Sequence, residues 1–391
     1  MSRIVGVISE YNPFHHGHAH QLRAAREAAR ADYVVVVMSA CFTQRGDAAL
    51  LSPHARAQMA LACGADAVFA LPAAWSVRDA ERFALGGVSA LHALGCDAIS
   101  FGSESADAEP LMAAAQLLEA PEATFRQRLA EQVASGVPYP AALAASADLA
   151  VPGTGALLSQ PNSTLAVCYL RAIIRLGAQL EVCPIPRTGD YHATSLDGAP
   201  PSATALRGAI LRGDWRSAEA AMPPEAFAIL MEHASQSHLH RPGALDTALL
   251  ARLRTMSTDE YAALPDASEG IEQRLCMAAQ SACTREALLH IAKTRRYPYA
   301  RISRMATHAL LGITHQALEE QPLYNTPWLL GFRQECRPLI SRLSAHARLL
   351  TRAGDLTSAP WFPIERRAWD LWALGAGLPA GMASETRLLT L

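Results

Sequence analysis

The sequence predicts an α/β fold in which a doubly wound parallel sheet is followed by a mainly helical C-terminal domain. Over the first hundred residues, short β-branched runs alternate with helix-like segments, as in βαβ units around a buried parallel sheet. From about Pro224 onward the strand signal fades and helical periodicity dominates. A chain of 391 residues is also long enough for two domains.

Each predicted element is marked by its apolar pattern and by the turn residues beside it. The run "YVVVVM" predicts a strand, and proline with serine before "ATALRGAI" predicts the start of a helix. Strands are expected at 3–9, 32–39, 66–72, 97–104 and 178–189, and helices at about 17–31, 53–64, 79–95, 106–176 and 200–214. A boundary between Trp215 and Pro224 divides the chain into an α/β domain, 1–218, and a helical domain, 219–391.

Composition argues against a membrane protein. Half of the residues are apolar and 18% are charged, which is typical of soluble globular chains. The longest pure apolar run near the start, 33–38, is far too short to cross a bilayer. Because the N-terminus also lacks the features of a secretory signal, a cytoplasmic protein is expected.

Charge is distributed unevenly along the chain. The formal net charge is −2, so the whole molecule has no basic field for nucleic acid. Residues 285–352, however, hold eleven Lys and Arg against four Glu, a net charge of +7. This segment therefore predicts a local basic face.

The cysteine and lysine residues limit the kinds of metal, disulfide and phosphate site that the chain can form. The eight cysteines never form a CxxC pair, which argues against a zinc site and a disulfide framework, and no metal ligands are assigned. Lys293 is the only lysine, so the N-terminal half has no GxxxxGK[ST] loop and no kinase-type lysine. Phosphate chemistry there must use arginine, histidine, backbone amides or a metal ion.

Residues 10–22, "EYNPFHHGHAHQL", place four histidines at the end of the first predicted strand. His15 and His18 surround Gly17 at the start of a helix, whose exposed amides and dipole favour an anion. Asn12 and Pro13 shape the turn before it. Two other interpretations stay open at this point: a loop whose histidines cap and pack, and a metal site, although no acidic or cysteine partner stands at ligand spacing.

This segment resembles the HxGH signature of the nucleotidyltransferase superfamily, which has a Rossmann-like sheet. In that superfamily the two histidines contact the phosphates of ATP, which implies catalytic roles for His15 and His18. A later Ser/Thr-rich element ending in arginine belongs to the same pattern, and "PSATALRGAI" matches it. The match implies that Ser202 and Thr204 contact the leaving phosphates and that Arg207 supplies a fixed catalytic charge.

A narrower resemblance covers nearly the whole chain. The stretches "VGVISEYNPFHHGH", "VMSACFTQRGDAALLS", "GADAVFALP", "LGCDAISFGSE", "QPNSTLA", "PIPRTGDYHAT" and "KTRRYPYARISRMATHALLGI" are similar to the bacterial tRNA(Met) cytidine acetate ligase family. The resemblance implies a ligase that uses ATP and free acetate, without acetyl-CoA. Its implied product is N4-acetylcytidine at the wobble position of elongator tRNA(Met), with release of AMP and pyrophosphate.

The resemblance also implies an ATP site that is formed by the opening motif and several later residues. By motif, the implied ATP-binding residues are Ile8, Ser9, Glu10, Tyr11, Asn12, Pro13, Phe14, His15, His16, Gly17, His18, Ala19, His20, Gln21, Gly102, Asn162, Arg187, Ser202 and Thr204. One loop departs from the family pattern "MSGNFxQRG", because Ala40 and Cys41 replace glycine and asparagine. Gln44 and Arg45 are expected to retain the function of that loop.

The basic stretch "KTRRYPYARISR" predicts contacts with tRNA. Interleaved cations and tyrosines suit phosphate contacts and base stacking, whereas the alternative is an ordinary solvated helix face. With the family resemblance, RNA contact is the favoured interpretation. The predicted tRNA-binding residues are Lys293, Arg295, Arg296, Tyr297, Arg301 and Arg304.

Two rival functions stay open from the sequence. The first is a nucleotidyltransferase that joins AMP or CMP to a small phosphorylated metabolite, which would leave the basic half without a role. The second is an RNA-binding scaffold with a vestigial nucleotide pocket, to which the departure at Cys41 gives weight. Carboxylate specificity, a requirement for Mg²⁺ beside ATP, oligomeric state and the basis of tRNA selection are likewise left open.

Overall fold

The computed structural model describes residues 2–186, 202–381 and 387–391. Its strands form one sheet in the order β5-β4-β1-β2-β3-β6-β7. The strands are β1 (Ile4–Ser9), β2 (Tyr33–Ser39), β3 (Ala67–Leu71), β4 (Ala98–Ser103), β5 (Glu181–Pro186), β6 (Trp328–Phe332) and β7 (Leu389–Thr390).

Helices connect the strands of the first half and form most of the second half. In the first half they are α1 (His16–Ala28), α2 (Pro53–Ala62), α3 (Ala73–Ser76), α4 (Ala80–Ala93), α5 (Ala108–Glu119), α6 (Ala123–Ala134), α7 (Tyr139–Ala150), α8 (Thr154–Leu158) and α9 (Pro161–Leu176). Later come α10 (Ala203–Leu211), α11 (Trp215–Ala221), α12 (Pro224–Ser235), α13 (Asp246–Thr255), α14 (Thr258–Ala262), α15 (Ile271–Ser281), α16 (Arg285–Ala292), α17 (Tyr299–Leu311), α18 (His315–Glu319), α19 (Arg337–His346), α20 (Ala353–Leu356) and α21 (Phe362–Gly375).

The five strands of the first half are parallel, as the sequence predicts. β1 is central: Val7 pairs with Val36 of β2 on one side and with Ser100 of β4 on the other. The chain goes outward from β1 through β2 to β3, then returns to β4 and goes outward to β5. The strand order therefore reverses between β1 and β4, and ligands of doubly wound sheets bind at the carboxyl ends of the strands beside such a point.

The second half contributes strands that the sequence prediction missed. β6 pairs antiparallel with β3, and β7 pairs parallel with β6. The segment "WLLGF" is fully buried and only five residues long, so its apolar run has no alternation that would distinguish a strand from a buried helix. One continuous core includes residues before and after position 218, and the division at 218/219 stays a prediction.

A separate core lies within helices α13 to α17, which we call the helical module. Leucines of three of these helices, Leu253, Leu275 and Leu289, are buried together in it. None of the helices in the described ranges 2–186, 202–381 and 387–391 is long and apolar enough to cross a membrane.

An arginine and a glutamate are buried beside the sheet. Arg56 of α2 and Glu365 of α21 are both fully buried. Glu365 accepts a hydrogen bond from the backbone N–H of Ala73, while its Oε1 has no hydrogen-bond partner among the described residues. Burial raises the pKa of the Glu365 carboxyl to about 7, against the lowering effects of the Ala73 hydrogen bond and the Arg56 charge.

We expect ionisation of the Glu365 carboxyl to lower the free energy of unfolding as the pH rises. The pKa of this carboxyl in the folded state exceeds its value in the unfolded chain. Its contribution to the free energy of unfolding is therefore fully present below about pH 4.5 and is lost as the pH rises through 7. In Glu365→Gln this loss is absent, so the parent should lose roughly 3 kcal/mol more than the variant between these pH values. Urea unfolding at pH 4.5 and 7.5 measures the difference. Glu27→Gln on the surface of α1 is the control, and equal pH dependence of the parent and Glu365→Gln would contradict the assignment.

Candidate active site

The turn between β1 and α1 is held by its own histidines. His15 is the N-cap of α1: its Nδ1 accepts a hydrogen bond of 3.1 Å from the backbone N–H of Gly17. The backbone N–H of His15 donates in return to Nδ1 of His18, at 3.2 Å. Since Nδ1 is the acceptor in both rings, each neutral imidazole carries its proton on Nε2 and presents an Nε2–H donor.

The two imidazoles are stacked on each other. Their ring centroids are 3.7 Å apart and the planes differ by 20°. Tyr11 and Phe14, both buried, contact His18 with their rings and fix its orientation. A Cβ at Gly17 would lie 2.9 Å from the His15 ring, so the stack requires glycine there. The donors at the start of α1 are therefore fixed before a ligand arrives.

Helix α10 brings the second predicted motif to this turn. Ser202 begins the helix, because its Oγ accepts from the backbone N–H of Ala205 at 3.1 Å. Arg207, one and a half turns later, donates from Nη1 to the backbone carbonyl of Asn12 at 2.7 Å and from Nη2 to Oγ1 of Thr204 at 3.1 Å. The structure thus places Arg207 against the turn that carries His15.

The loop after β2 closes over Glu10 at the end of β1. Oε1 of Glu10 accepts from the backbone N–H of Gln44 at 2.6 Å, and the Gln44 side chain donates to the carbonyl of Arg78. Burial raises the pKa of the Glu10 carboxyl, and the charges of Arg207 and Arg45 lower it. Both guanidinium groups therefore act electrostatically on one point at the carboxyl end of β1.

Sequence reasoning missed Arg56, which organises this edge of the sheet. Its guanidinium is buried and donates to the carbonyls of Glu10 at 2.7 Å, Ser39 at 2.9 Å, Leu51 at 3.1 Å and Ala40. Burial lowers the pKa of Arg56 to about 10, which leaves the group charged at neutral pH. A signal was available: Arg56 interrupts an otherwise small and apolar face of α2, where an arginine needs internal partners.

Two further predicted nucleotide residues lie at the end of β4. Gly102 belongs to β4, and Asn162 stands in the first turn of α9. Glu104 holds that turn, accepting from the amide of Asn162 at 2.7 Å and from the backbone N–H and hydroxyl of Ser163 at 2.7 and 2.9 Å. Burial raises the pKa of the Glu104 carboxyl, but these hydrogen bonds outweigh burial. The pKa therefore lies below its usual range. Arg187, which completes the predicted set, lies outside the described residues.

The remaining predicted residues are distributed between the core and the surface. Ile8 and Pro13 are buried, whereas Ser9, Gly17 and Gln21 are half-buried. His16 and Ala19 line a separate cleft of about 700 Å³ beside α1, between the end of α2 and the start of α12. His20 is exposed on α1.

The basic segment divides into exposed and internally bonded cations. Lys293, Arg295 and Arg296 are exposed, although Arg296 also lies 3.5 Å from the carboxylate of Glu269. Arg304 is buried and lies 3.1 Å from the carboxylate of Asp266. Burial and this ion pair favour a structural role for Arg304 within the helical module over the predicted contact with tRNA.

Two neighbours in the same segment also have internal partners. Arg301 donates to the carbonyl of Asp266 at 2.8 Å and to the hydroxyl of Ser268 at 2.6 Å. The hydroxyl of Tyr297 donates to the carbonyl of Glu269. Tyr299, by contrast, is exposed at the start of α17. The exposed part of the segment is therefore shorter than the predicted tRNA-binding set.

No group of three or more His, Cys, Asp or Glu side chains suited to a metal ion occurs within the described parts of the chain. The site that the structure does build is a set of fixed hydrogen-bond donors. The imidazoles of His15 and His18 lie at the start of α1, and the guanidinium of Arg207 meets the same turn at the carbonyl of Asn12. Such a set suits a polyanion.

A parallel sheet with this histidine turn at its switch point defines a HIGH nucleotidyltransferase, and the family model for HIGH Nucleotidyl Transferase matches residues 2–377. The crystal structure of apo Thermotoga maritima TmcAL is similar over the full length of both chains, with a TM-score of 0.92 and 25% identity. Its crystal structure bound with alpha-thio ATP gives a TM-score of 0.90 at the same identity and coverage.

Two relatives identify the family more narrowly. The tRNA(Met) cytidine acetate ligase of Bacillus subtilis is 32% identical over 95% of this chain and 96% of its own length. The enzyme of the same name from Lactiplantibacillus plantarum is 35% identical over 84% of this chain and 82% of its own. The chain therefore belongs to the tRNA(Met) cytidine acetate ligase family, and the family predicted from the sequence motifs is confirmed.

Replacing Arg207 tests whether the two motifs form one anion site. We expect Arg207→Ala to weaken ATP binding by about tenfold or more, because a charge-assisted hydrogen-bond donor is worth roughly 1.5–3 kcal/mol. Isothermal titration with ATP measures the change. Arg212→Ala, at the C-terminal end of the same helix, is the control and should bind as the parent does. Equal affinities of Arg207→Ala and the parent would remove Arg207 from the site.

Proposed function

We propose that this protein acetylates the wobble cytidine of elongator tRNA(Met), using ATP and free acetate. The observation that carries the proposal is the convergence of the His15 and His18 donors with Arg207 on one turn. Near full-length similarity to enzymes named tRNA(Met) cytidine acetate ligase supports the substrates. The structure of TmcAL with alpha-thio ATP supports ATP as the nucleotide.

Activation of acetate is required by simple chemistry. Oxide is a very poor leaving group, and the lone pair of the cytosine amine is delocalised into the ring. In the proposed first step, an acetate oxygen attacks the α-phosphorus of ATP, the bond to the β-phosphate oxygen breaks, and acetyl-adenylate and pyrophosphate form. Acetyl-CoA is not needed.

The first step concentrates negative charge on phosphoryl oxygens. Nε2–H of His15 and His18 and the guanidinium of Arg207 are the groups that we assign to this charge. The start of α1 adds the positive end of the helix dipole. They act by positioning and electrostatic stabilisation, without forming a covalent intermediate.

In the proposed second step, the cytidine N4 amine attacks the acetyl carbon and expels AMP, and the nitrogen loses a proton. The target base must leave the anticodon stack to reach the adenylate. That movement requires a hold on the tRNA elsewhere. The exposed cations Lys293, Arg295 and Arg296 are suited to phosphate contacts.

Omission assays separate this function from its two rivals. With ATP, acetate and bulk tRNA present, the proposal expects pyrophosphate release and N4-acetylcytidine in the nucleosides analysed by mass spectrometry. Product formation should stop when any one substrate is omitted. A dinucleotide-like product made without RNA would favour a small-metabolite nucleotidyltransferase, and tRNA binding without pyrophosphate release would favour a scaffold.

Loss of either stacked histidine should stop the first step. We expect His15→Ala and His18→Ala each to lower acetate-dependent pyrophosphate release by roughly 100- to 1000-fold, as for other fixed oxyanion donors. Circular dichroism checks that the fold survives. His92→Ala on the exposed face of α4 is the matched control and should retain the parent rate. Near-native turnover in either site variant would contradict the assignment.

The exposed cations should set the salt dependence of tRNA binding. The double variant Arg295→Ala with Arg296→Ala should bind tRNA more weakly and reduce the slope of log K against log salt by roughly two. Filter binding at several salt concentrations measures the slope. Removing Arg126 and Arg128, which are exposed together on α6, controls for the loss of two charges. Identical slopes in the parent and the Arg295, Arg296 variant would exclude phosphate contacts by this pair.

A further inference from the structure

Three side chains of the helical module hold the loop at residues 45–47, and we call them the clasp: Arg285, Ser303 and Thr307. Arg285 lies 2.9 Å from Oδ1 of Asp47 and donates to the carbonyl of Gly46 at 3.3 Å. It also donates to Oγ of Ser303 at 2.7 Å. The clasp therefore joins two parts of the chain more than 230 residues apart.

The other two clasp residues bind the loop backbone. Ser303 donates from its hydroxyl to the carbonyl of Arg45, and Thr307 donates to the carbonyl of Gly46 at 2.6 Å. Gly46 has a φ of +83°, and a Cβ there would lie 2.9 Å from Oγ1 of Thr307. The loop approaches α17 so closely that only glycine fits without displacing its partner. The carbonyls of Arg45 and Gly46, which directly follow the Arg45 side chain along the backbone, are thus fixed.

The same loop is anchored to the turn after β1. Immediately before Arg45, the backbone N–H of Gln44 donates to Oε1 of Glu10 at 2.6 Å. The charge of Arg45 lowers the pKa of the Glu10 carboxyl, as does the charge of Arg207 from α10. The loop therefore has one attachment in the anion site and the other in the helical module, with Arg45 between them.

We propose that Arg285 is a positioning residue, which holds the loop so that the guanidinium of Arg45 contributes to binding the ATP phosphates. The inference rests on the ATP site of the proposed function and deepens it. It gives the helical module a role in nucleotide binding, separate from any contact with tRNA. Arg285 acts through Arg45 and does not touch the nucleotide itself.

Other ion pairs of the helical module offer a contrast. Arg304 with Asp266, and Arg252 with Glu260, join residues of the module to each other. Arg285 instead directs its guanidinium at Asp47 and Gly46 in the loop after β2, and it bonds Ser303 within the module. An ion pair that served only the stability of the module would have no need of that loop.

A double-mutant cycle on ATP affinity tests the proposal. Arg45→Ala and Arg285→Ala should each raise the Kd for ATP by about tenfold, the cost of one charge-assisted hydrogen bond. Because Arg285 acts through Arg45, the double variant should also be about tenfold weaker than the parent, where independent residues would give about a hundredfold loss. Isothermal titration with ATP alone measures all four proteins. Arg285→Lys, which keeps the charge beside Asp47 but loses the forked hydrogen bonds, should fall between the parent and Arg285→Ala.

One further variant serves as a control, and another can replace Arg285→Ala. Arg252→Ala removes an ion pair of the same module away from the loop and should leave the Kd unchanged. If Arg285→Ala does not unfold cooperatively, Ser303→Ala replaces it in the cycle, since it removes the hydrogen bonds to Arg45 and Arg285 with a small change in volume. A multiplicative loss in the double variant would overturn the inference, as would a loss of tRNA affinity with unchanged ATP affinity. Because the titration contains neither acetate nor tRNA, a protein that binds ATP but makes no acetylcytidine fails the proposed function without failing this test.

Discussion

The site depends on Asn12, which ties two distant parts of the chain to the turn after β1. Its backbone carbonyl accepts from Arg207, and its side-chain Oδ1 accepts from the backbone N–H of Leu50 at 2.8 Å. The next links reach the C-terminal half: His240 donates from its backbone N–H to the carbonyl of Leu50, and the indole of Trp372 donates to the carbonyl of Ala49. With Asn12 buried, these bonds are shielded from water, and their loss would leave unpaired polar groups. The turn is therefore held by α10 directly and, through Ala49 and Leu50, by residues of the C-terminal half.

This arrangement shows how the proposed ATP site can form in a protein with a single lysine. The donors that we propose are the imidazoles of His15 and His18 and the guanidinium of Arg207, and these side chains also bond to the protein: His15 caps α1 and Arg207 binds a carbonyl. A donor that is already oriented loses little entropy when charge develops near it, which is the condition for strong electrostatic stabilisation. Charges fixed in this way also affect the ionisation of their neighbours. At Glu10, burial raises the pKa of the carboxyl, and the charges of Arg207 and Arg45 lower it.

The local sequence pattern predicts most of the sheet and both motifs. It does not predict the contacts between the motifs. β1 to β5 follow from apolar runs with turn residues, whereas His15 and Arg207 are predicted together through the resemblance to the HxGH nucleotidyltransferases. β6 could not be found, since its pairing with β3 is set by residues more than 250 positions away. The roles of Arg56 and Arg285 are likewise properties of the folded chain, because a buried arginine is defined by the carbonyls and carboxylates that meet it. The basic segment shows the same limit. The sequence gives the number of charges, but only the structure shows that Arg304 is internal and paired with Asp266.

The loop after β2 shows how departures from a family pattern can leave the backbone contacts of a loop in place. At Ala40 it is the backbone that is used: its N–H donates to the carbonyl of Leu71 at 3.0 Å, and its carbonyl accepts from Arg56. Ala40 is also absent from the described residues with positive φ, so the position has no need of glycine. The carbonyl of Cys41 similarly accepts from the backbone N–H of Ala49, while its side chain is buried and burial raises the pKa of the thiol. A loop held through its carbonyls tolerates a change of side chain wherever the replacement fits the core, and the departures at Ala40 and Cys41 therefore give little support to a vestigial pocket.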